Sequence, residues 1–376
     1  MVKNVKYSLK TALTNLILAA AVISFTASAG AAGESGNVSS AGSLLSAIES
    51  YLASAGVKGP YEDNIKARLA ALDAIWSLGE IGDPGLMTSL SGFYAGSDDV
   101  IKINLIISMG KLKNSARSGP YLAAIASSPD ESEVVRAAAF EMLDETGQPA
   151  PPAPLVPSKN TGIEKADILY TSGKIGTIAS WGSSDLPIGH AGIFAGTEIK
   201  NGRINILISD CVVNYLVPGG VRNIRSWKDF LLHFTYPYYG NRTTRVRPTA
   251  AQREKIVQLG LKMGKMGLKY DVTHLSQKGP LIFDCVGYTE YLYEQAGLNP
   301  TPDSFEYGWG WPLTPYEQFS ATTPAPAARI PYARQTPPPA APAAGVFRSL
   351  KALPEAFGIN ARIIDISTDI LPEAAD

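Results

Sequence analysis

The spacing of apolar residues changes part-way along the chain. Between residues 61 and 147, "IKARLAALDAIWSLGEIG", "VIKINLIISMGKLK" and "VVRAAAFEMLDETG" place apolar side chains at helical intervals and close near a glycine. Superimposing Leu78, Met109 and Leu143 gives steps of 31 and 34 residues, the period of a helix–turn–helix unit stacked on copies of itself. From about residue 161 the pattern becomes that of strands. "ADILYTSG", "HAGIFAG" and "RINILISDCVV" are short, rich in β-branched residues and bounded by Gly, Asn and Ser. Helical spacing returns in "AAQREKIVQLGLKMGKMG" and in the run from Cys285 to Gly297. The expected fold class is α+β, with a helical block ahead of a mixed one.

Two Pro/Ala-rich stretches, poor in core-forming residues, divide these blocks. The expected organisation is a helical repeat block over 40–147, a linker over 148–160, a mixed domain over 161–320, a second linker over 321–345 and a tail over 346–376. The tail holds a candidate helix, "VFRSLKALPEAF", and a candidate strand, "ARIIDIS". Residues 1–31 have the layout of a secretory signal peptide: Lys3, Lys6 and Lys10, then "LILAAAVISF", then small residues at Ala27 and Ala29. No cysteine follows the apolar run, so no lipid anchor is expected. The expected location is secreted or periplasmic, with no membrane span after cleavage.

Composition narrows the chemistry. Hydrophobic residues make up 45% and charged residues 18%, as in a folded protein, and the net charge of -1 provides no basic field for nucleic acid. Three scattered histidines without ligand spacing make a metal site improbable, and no cofactor is expected. Two cysteines, Cys211 and Cys285, form an even count, which in an oxidising compartment favours a disulfide.

The alternative for Cys285 is a nucleophile. In "LIFDCVGYTEYLYEQAGLNP" a short strand precedes Asp284, a candidate N-cap, and Cys285 then opens a helix that Gly297 stops. A thiol in a first helical turn lies at the positive end of the dipole, which favours the thiolate. A base is needed. His190 opens the strand "GHAGIF" among small residues, where a second chain or a substrate can approach. His274, in a polar loop eleven residues before Cys285, is the rival, and His233 in "KDFLLHFTYP" reads as a packing or surface residue on a helix. In "INILISDCVV" alternation puts Asp210 on one face with Ile204, Ile206 and Ile208, and Cys211 on the other with Leu207 and Ser209. If Asp210 turns toward His190, Cys211 points away from that pair, which argues against a Cys211–Cys285 bond.

The "FDC" helix start and the "GHAGI" strand together resemble the papain-like NlpC-type cysteine peptidase superfamily. His190 precedes Cys285, the order of its circularly permuted, YiiX-like branch. The resemblance covers about 161–300 and implies a permuted papain-like domain, with an antiparallel sheet and a Cys-bearing helix. It implies Cys285 as nucleophile, His190 as general base, Asp210 as the third polar group and Tyr270 beside the substrate. Two departures stand out: Val286 follows the cysteine where Ser is usual, and the third group is Asp rather than Glu. The wordings "VRAAAxxxLxxxG" and "LGxIGD" in the helical block resemble HEAT-like repeats, which implies a surface for a protein partner. The expected activity is an exported cysteine hydrolase that cleaves an amide or peptide bond, with cell-wall peptide as the favoured substrate. A non-enzymatic scaffold with oxidised cysteines, and an acyl-transferring or lipid-handling enzyme of the same superfamily, are the other readings.

Overall fold

The computed structural model describes residues 40–54, 61–112, 115–153, 163–172, 188–213, 219–271, 274, 277–301 and 313–324. All belong to one compact unit spanning 1–334. The expected signal peptide, most of both Pro/Ala-rich stretches and the tail lie outside the described residues.

The first layer is helical: α1 (Ala41–Ser54), α2 (Tyr61–Ile81), α3 (Met87–Tyr94), α4 (Asp99–Lys111), α5 (Ser115–Ser127) and α6 (Glu133–Glu145). Helix α4 is the middle of this layer, with every residue from Val100 to Met109 buried. A helix apolar on all sides must be surrounded, and α2, α3, α5 and α6 all pack against it. Asp98 caps it, accepting the Ile101 N–H at 3.1 Å, and the same carboxylate pairs with Arg68 of α2 at 2.7 Å. Gly79 of α2 lies so close to Ser108 of α4 that a Cβ would sit 2.8 Å from the Ser108 Cα.

The second layer is a six-stranded, wholly antiparallel sheet: β1 (Ile168–Ser172), β2 (Ile188–Lys200), β3 (Arg203–Val212), β4 (Gly220–Ile224), β5 (Tyr238–Thr243) and β8 (Thr323–Pro324), in the order β4-β3-β2-β1-β5-β8. Asn201 and Gly202 (φ 52° and 69°) form the tight left-handed turn that joins β2 to β3. The strand β8 comes from the stretch expected to open the second linker. Thr322 is buried there, and Arg242 holds it through its side chain.

Between β4 and β5 lies the short helix α7 (Trp227–Phe230). The longer helix expected through "KDFLLHF" does not form. Leu232, His233 and Phe234 instead adopt left-handed backbone angles (φ 46°, 57° and 57°), which leaves His233 exposed and Phe234 buried. The remaining elements are α8 (Ala250–Met263), the two-residue parallel pair β6 (Lys269–Tyr270) and β7 (Ile282–Phe283), α9 (Cys285–Gln295) and α10 (Pro315–Ala321).

The sheet is covered on both faces. The Ile208 and Asp210 face of β3 meets α7, for a Cβ at Gly192 would strike Phe230, Asp210 and Ile208 together. The Ser209 face meets α8 and α9: the Ser209 hydroxyl lies 2.7 Å from that of Tyr288, and both approach Gly260. Fully buried Asn104 of α4 ties the helical layer to the sheet. Its side chain donates to the Tyr238 carbonyl (2.8 Å) and accepts the Tyr238 N–H (3.0 Å). The Trp227 ring N–H likewise donates to the Val134 carbonyl of α6 at 3.0 Å.

Candidate active site

Strand β2 delivers His190 at its start, directly opposite Thr171 of β1. In the β2–β3 register Gly192 faces Asp210, so His190, two residues earlier, projects from the same face as Asp210. The His190 Nε2 lies 3.0 Å from Asp210 Oδ2. Asp210 is fully buried, and Arg222 of β4 grips it with two hydrogen bonds of 2.8 and 3.0 Å. Burial alone would raise the Asp210 carboxyl, but the Arg222 guanidinium and the His190 hydrogen bond outweigh it and hold it below the usual carboxylate range. Arg222 also donates to the Asp229 carbonyl at the end of α7, while the Phe230 ring lies 5.5 Å from the imidazole. The ring is thus fixed from the sheet and from α7.

Helix α9 delivers Cys285 at its first position. Asp284 has an extended backbone, and its Oδ1 accepts the Gly287 N–H at 2.7 Å, which closes the first turn. The Ala191 N–H, next in β2 after His190, is directed at the Cys285 sulfur, as are the N–H groups of Val286 and of Cys285 itself. The sulfur therefore lies beside the start of β2, but α9 packs on the Ser209 face while the His190 ring projects from the Asp210 face, and no hydrogen bond joins the imidazole to the thiol among the described residues.

The helix start does not, however, lower the thiol. Burial pushes Cys285 well above the ordinary thiol value, and the adjacent Asp284 charge adds to the rise, so the three N–H groups are outweighed. The expectation that the helix start favours the thiolate is corrected: burial and Asp284 favour the neutral thiol. Its cover is visible in the packing, since Cys285, Val286 and Leu313 form a small apolar cluster of their own. Val286, the departure noted in the sequence, is one of its three members. Gln277 holds Leu313 in place by donating to its carbonyl and accepting its N–H, both at 2.8 Å.

Tyr270 pairs with Phe283 in the β6–β7 bridge, two residues from Cys285. Burial raises its hydroxyl, and the neighbouring Cys285 and Asp284 raise it further, which puts the phenol at the site. His274 is also there: its Nδ1 lies 2.8 Å from Asp284 Oδ2, and its ring stands edge-on to Tyr270 at 6.0 Å. Gln277 donates to the same carboxylate oxygen. The exposed His233 makes no such contact.

Both cysteines are free. The reason differs from the one that strand phase suggested. Cys211 does point away from Asp210, but this carries it toward α9, where its Sγ donates to the Phe283 carbonyl at 3.2 Å. Burial and then the nearby Cys285 push its thiol far up. Among the described residues there is no group of three His, Cys, Asp or Glu side chains able to hold a metal ion, and no helix is long and apolar enough to cross a membrane.

Sequence reasoning missed Arg222 and Gln277. Arg222 follows a glycine pair in an unremarkable strand, and only the β3–β4 register, in which it faces Asp210, reveals it. Gln277 lies in a loop with no periodic signal. The chain matches no family model, no characterised protein and no solved structure.

Proposed function

We propose that this protein is an exported cysteine hydrolase that opens an amide or peptide bond through an acyl-enzyme, on a permuted papain-like domain carrying HEAT-like repeats ahead of it. The observation that carries the reading is the Arg222–Asp210–His190 chain on β2–β4, with the start of β2 lying beside the Cys285 thiol at the start of α9. Such a chain can hold an imidazole as a base. Asp210, held ionised, accepts the His190 Nε2–H and leaves Nδ1 as the basic nitrogen.

Because the thiol is neutral at rest, its proton leaves as the sulfur attacks, passing to His190. The C–S bond forms, the carbonyl oxygen becomes an oxyanion, and backbone N–H groups at the start of α9 stabilise it. Collapse expels the amine, which takes the proton from His190. Water, deprotonated by the same imidazole, then attacks the thioester, and the expelled Cys285 thiolate recovers a proton. Tyr270 lines the substrate side. Export and the superfamily resemblance favour cell-wall peptide, and the helical layer offers a surface for a protein partner.

The test is incubation of the purified mature protein with muropeptides, with products read by mass spectrometry, alongside labelling by a thiol-directed activity probe. Cleavage and labelling should both disappear in Cys285→Ser, and His190→Ala should lose turnover while keeping its fold. Labelling that survives Cys285→Ser, or a mature protein with no free thiol, overturns the proposal. If His274→Ala rather than His190→Ala abolishes turnover, the base has been misassigned.

A further inference from the structure

Two histidine–carboxylate pairs lie in this domain, and the mechanism above uses only one of them. The second pair is His274 with Asp284. The Asp284 carboxylate is almost fully buried and has three partners: the Gly287 N–H on Oδ1, and Gln277 and His274 on Oδ2. It is also the residue bonded directly to Cys285. Its negative charge opposes ionisation of the thiol, against the helix dipole. His274 is the only cationic side chain hydrogen-bonded to that charge among the described residues. It holds this place with a left-handed backbone (φ 55°), a conformation uncommon for a residue other than glycine and kept only where the surroundings demand it.

We propose that His274 is a positioning residue for Cys285: its imidazolium offsets the Asp284 carboxylate and so permits the thiolate to form, a role separate from proton transfer by His190. The proposal rests on Cys285 being the nucleophile. The electrostatics are consistent. Burial disfavours a charged His274, but the hydrogen bond and charge of Asp284, with the buried Asp271, outweigh it and raise the imidazole above its ordinary value. Tyr270 is the remaining titratable group against the ring, and Tyr270 and Cys211 are the others around the sulfur. When His274 is protonated, the Asp284 pair is neutral overall. When it loses the proton, the carboxylate acts on Cys285 unopposed. Protonated His274 and the Cys285 thiolate therefore favour one another, as linkage requires.

The experiment is the rate of iodoacetamide alkylation against pH, read at Cys285 by peptide mass spectrometry in the full mature chain. It requires no substrate. In the wild type the slope of log rate against pH should fall below one across the range in which His274 deprotonates. His274→Gln keeps a donor to Asp284 but not the charge, and should slow alkylation about threefold to tenfold at a pH below that range, a shift of up to about one unit. His274→Lys keeps a charge throughout and should restore the rate with a slope of one. Equal rates in wild type and His274→Gln overturn the proposal, as do equally slow rates in the Gln and Lys variants, which would mark a merely structural role. Should His274→Gln not fold, the wild-type profile decides alone: a slope of one maintained across the pH range in which NMR shows His274 losing its proton overturns the proposal. Folded protein in which Cys285 never alkylates removes the nucleophile reading and this inference together, whereas alkylation indifferent to His274 removes this inference alone.

Discussion

His190 and Asp210, on neighbouring strands, are joined by a 3.0 Å hydrogen bond whose acceptor is wholly buried. A buried carboxylate with one imidazole partner would be costly. What makes it tolerable is Arg222, whose two hydrogen bonds complete a charge pair inside the sheet.

Asp210→Asn keeps the shape but leaves the half-buried Arg222 without its hydrogen-bonded counter-charge, with only Asp229 nearby. The expected loss is about 3–5 kcal/mol, measurable by urea denaturation. The loss depends on pH. The folded Asp210 titrates below its unfolded value of about 4, so its contribution is complete above that value and disappears as pH falls through the folded one. The difference between wild type and Asp210→Asn should therefore narrow below about pH 4.

His274 has the opposite sign. Its folded value is raised, so its contribution is complete below the unfolded value of about 6.5 and is lost as pH rises through the folded one. Urea midpoints for wild type and His274→Gln should differ most on the acidic side and converge on the alkaline side.

Asn104 links the helical layer to the backbone of Tyr238. Asn104→Ala leaves the Tyr238 N–H and carbonyl buried without these partners, at an expected cost of about 2–4 kcal/mol. Circular dichroism of the helices and tryptophan fluorescence should still give one coincident transition, since that bond is one of several between the layers.

Gly192 has no room for a side chain: a Cβ would sit 2.9 Å from the Phe230 ring and 3.1 Å from the Asp210 Cβ. Gly192→Ala should cost about 1–3 kcal/mol and disturb the ring packing that holds His190, seen as a lower melting temperature and weaker probe labelling.

Leu313 covers the thiol. Leu313→Ala should speed Cys285 alkylation about tenfold, the equivalent of about 1.4 kcal/mol of local packing. An unchanged rate would mean that reagents reach the sulfur by another side.

Much of this was legible in the chain. The alternation through "INILISDCVV" put Asp210 and Cys211 on opposite faces, and the helices containing Leu78, Met109 and Leu143 form where their spacing requires. Other elements carried weaker signals. Helix α5 contains Pro120 and a Ser/Gly-rich start, and α3 is only eight residues long, so neither shows a strong period. The backbone reversal at Leu232–Phe234 contradicts local propensity, and burial of Phe230 and Phe234 decides it. At the site, the residues on regular elements were visible, and those that act across elements were not. Arg222 and Gln277 matter because of what the register and a loop bring to them. The thiol's neutrality was hidden for the same reason, since burial beneath Leu313 is a tertiary fact that outweighs a helix terminus.

The two-residue strand β8 has a consequence for the molecule in company. It occupies the outer flank of β5 and ends in Pro324, which has no N–H to offer. A passing chain therefore finds the Arg242–Thr243 end of β5 already paired and no N–H at Pro324 to extend from. At high protein concentration this small strand discourages edge-to-edge assembly at the flank it covers, in the way that a bound peptide would.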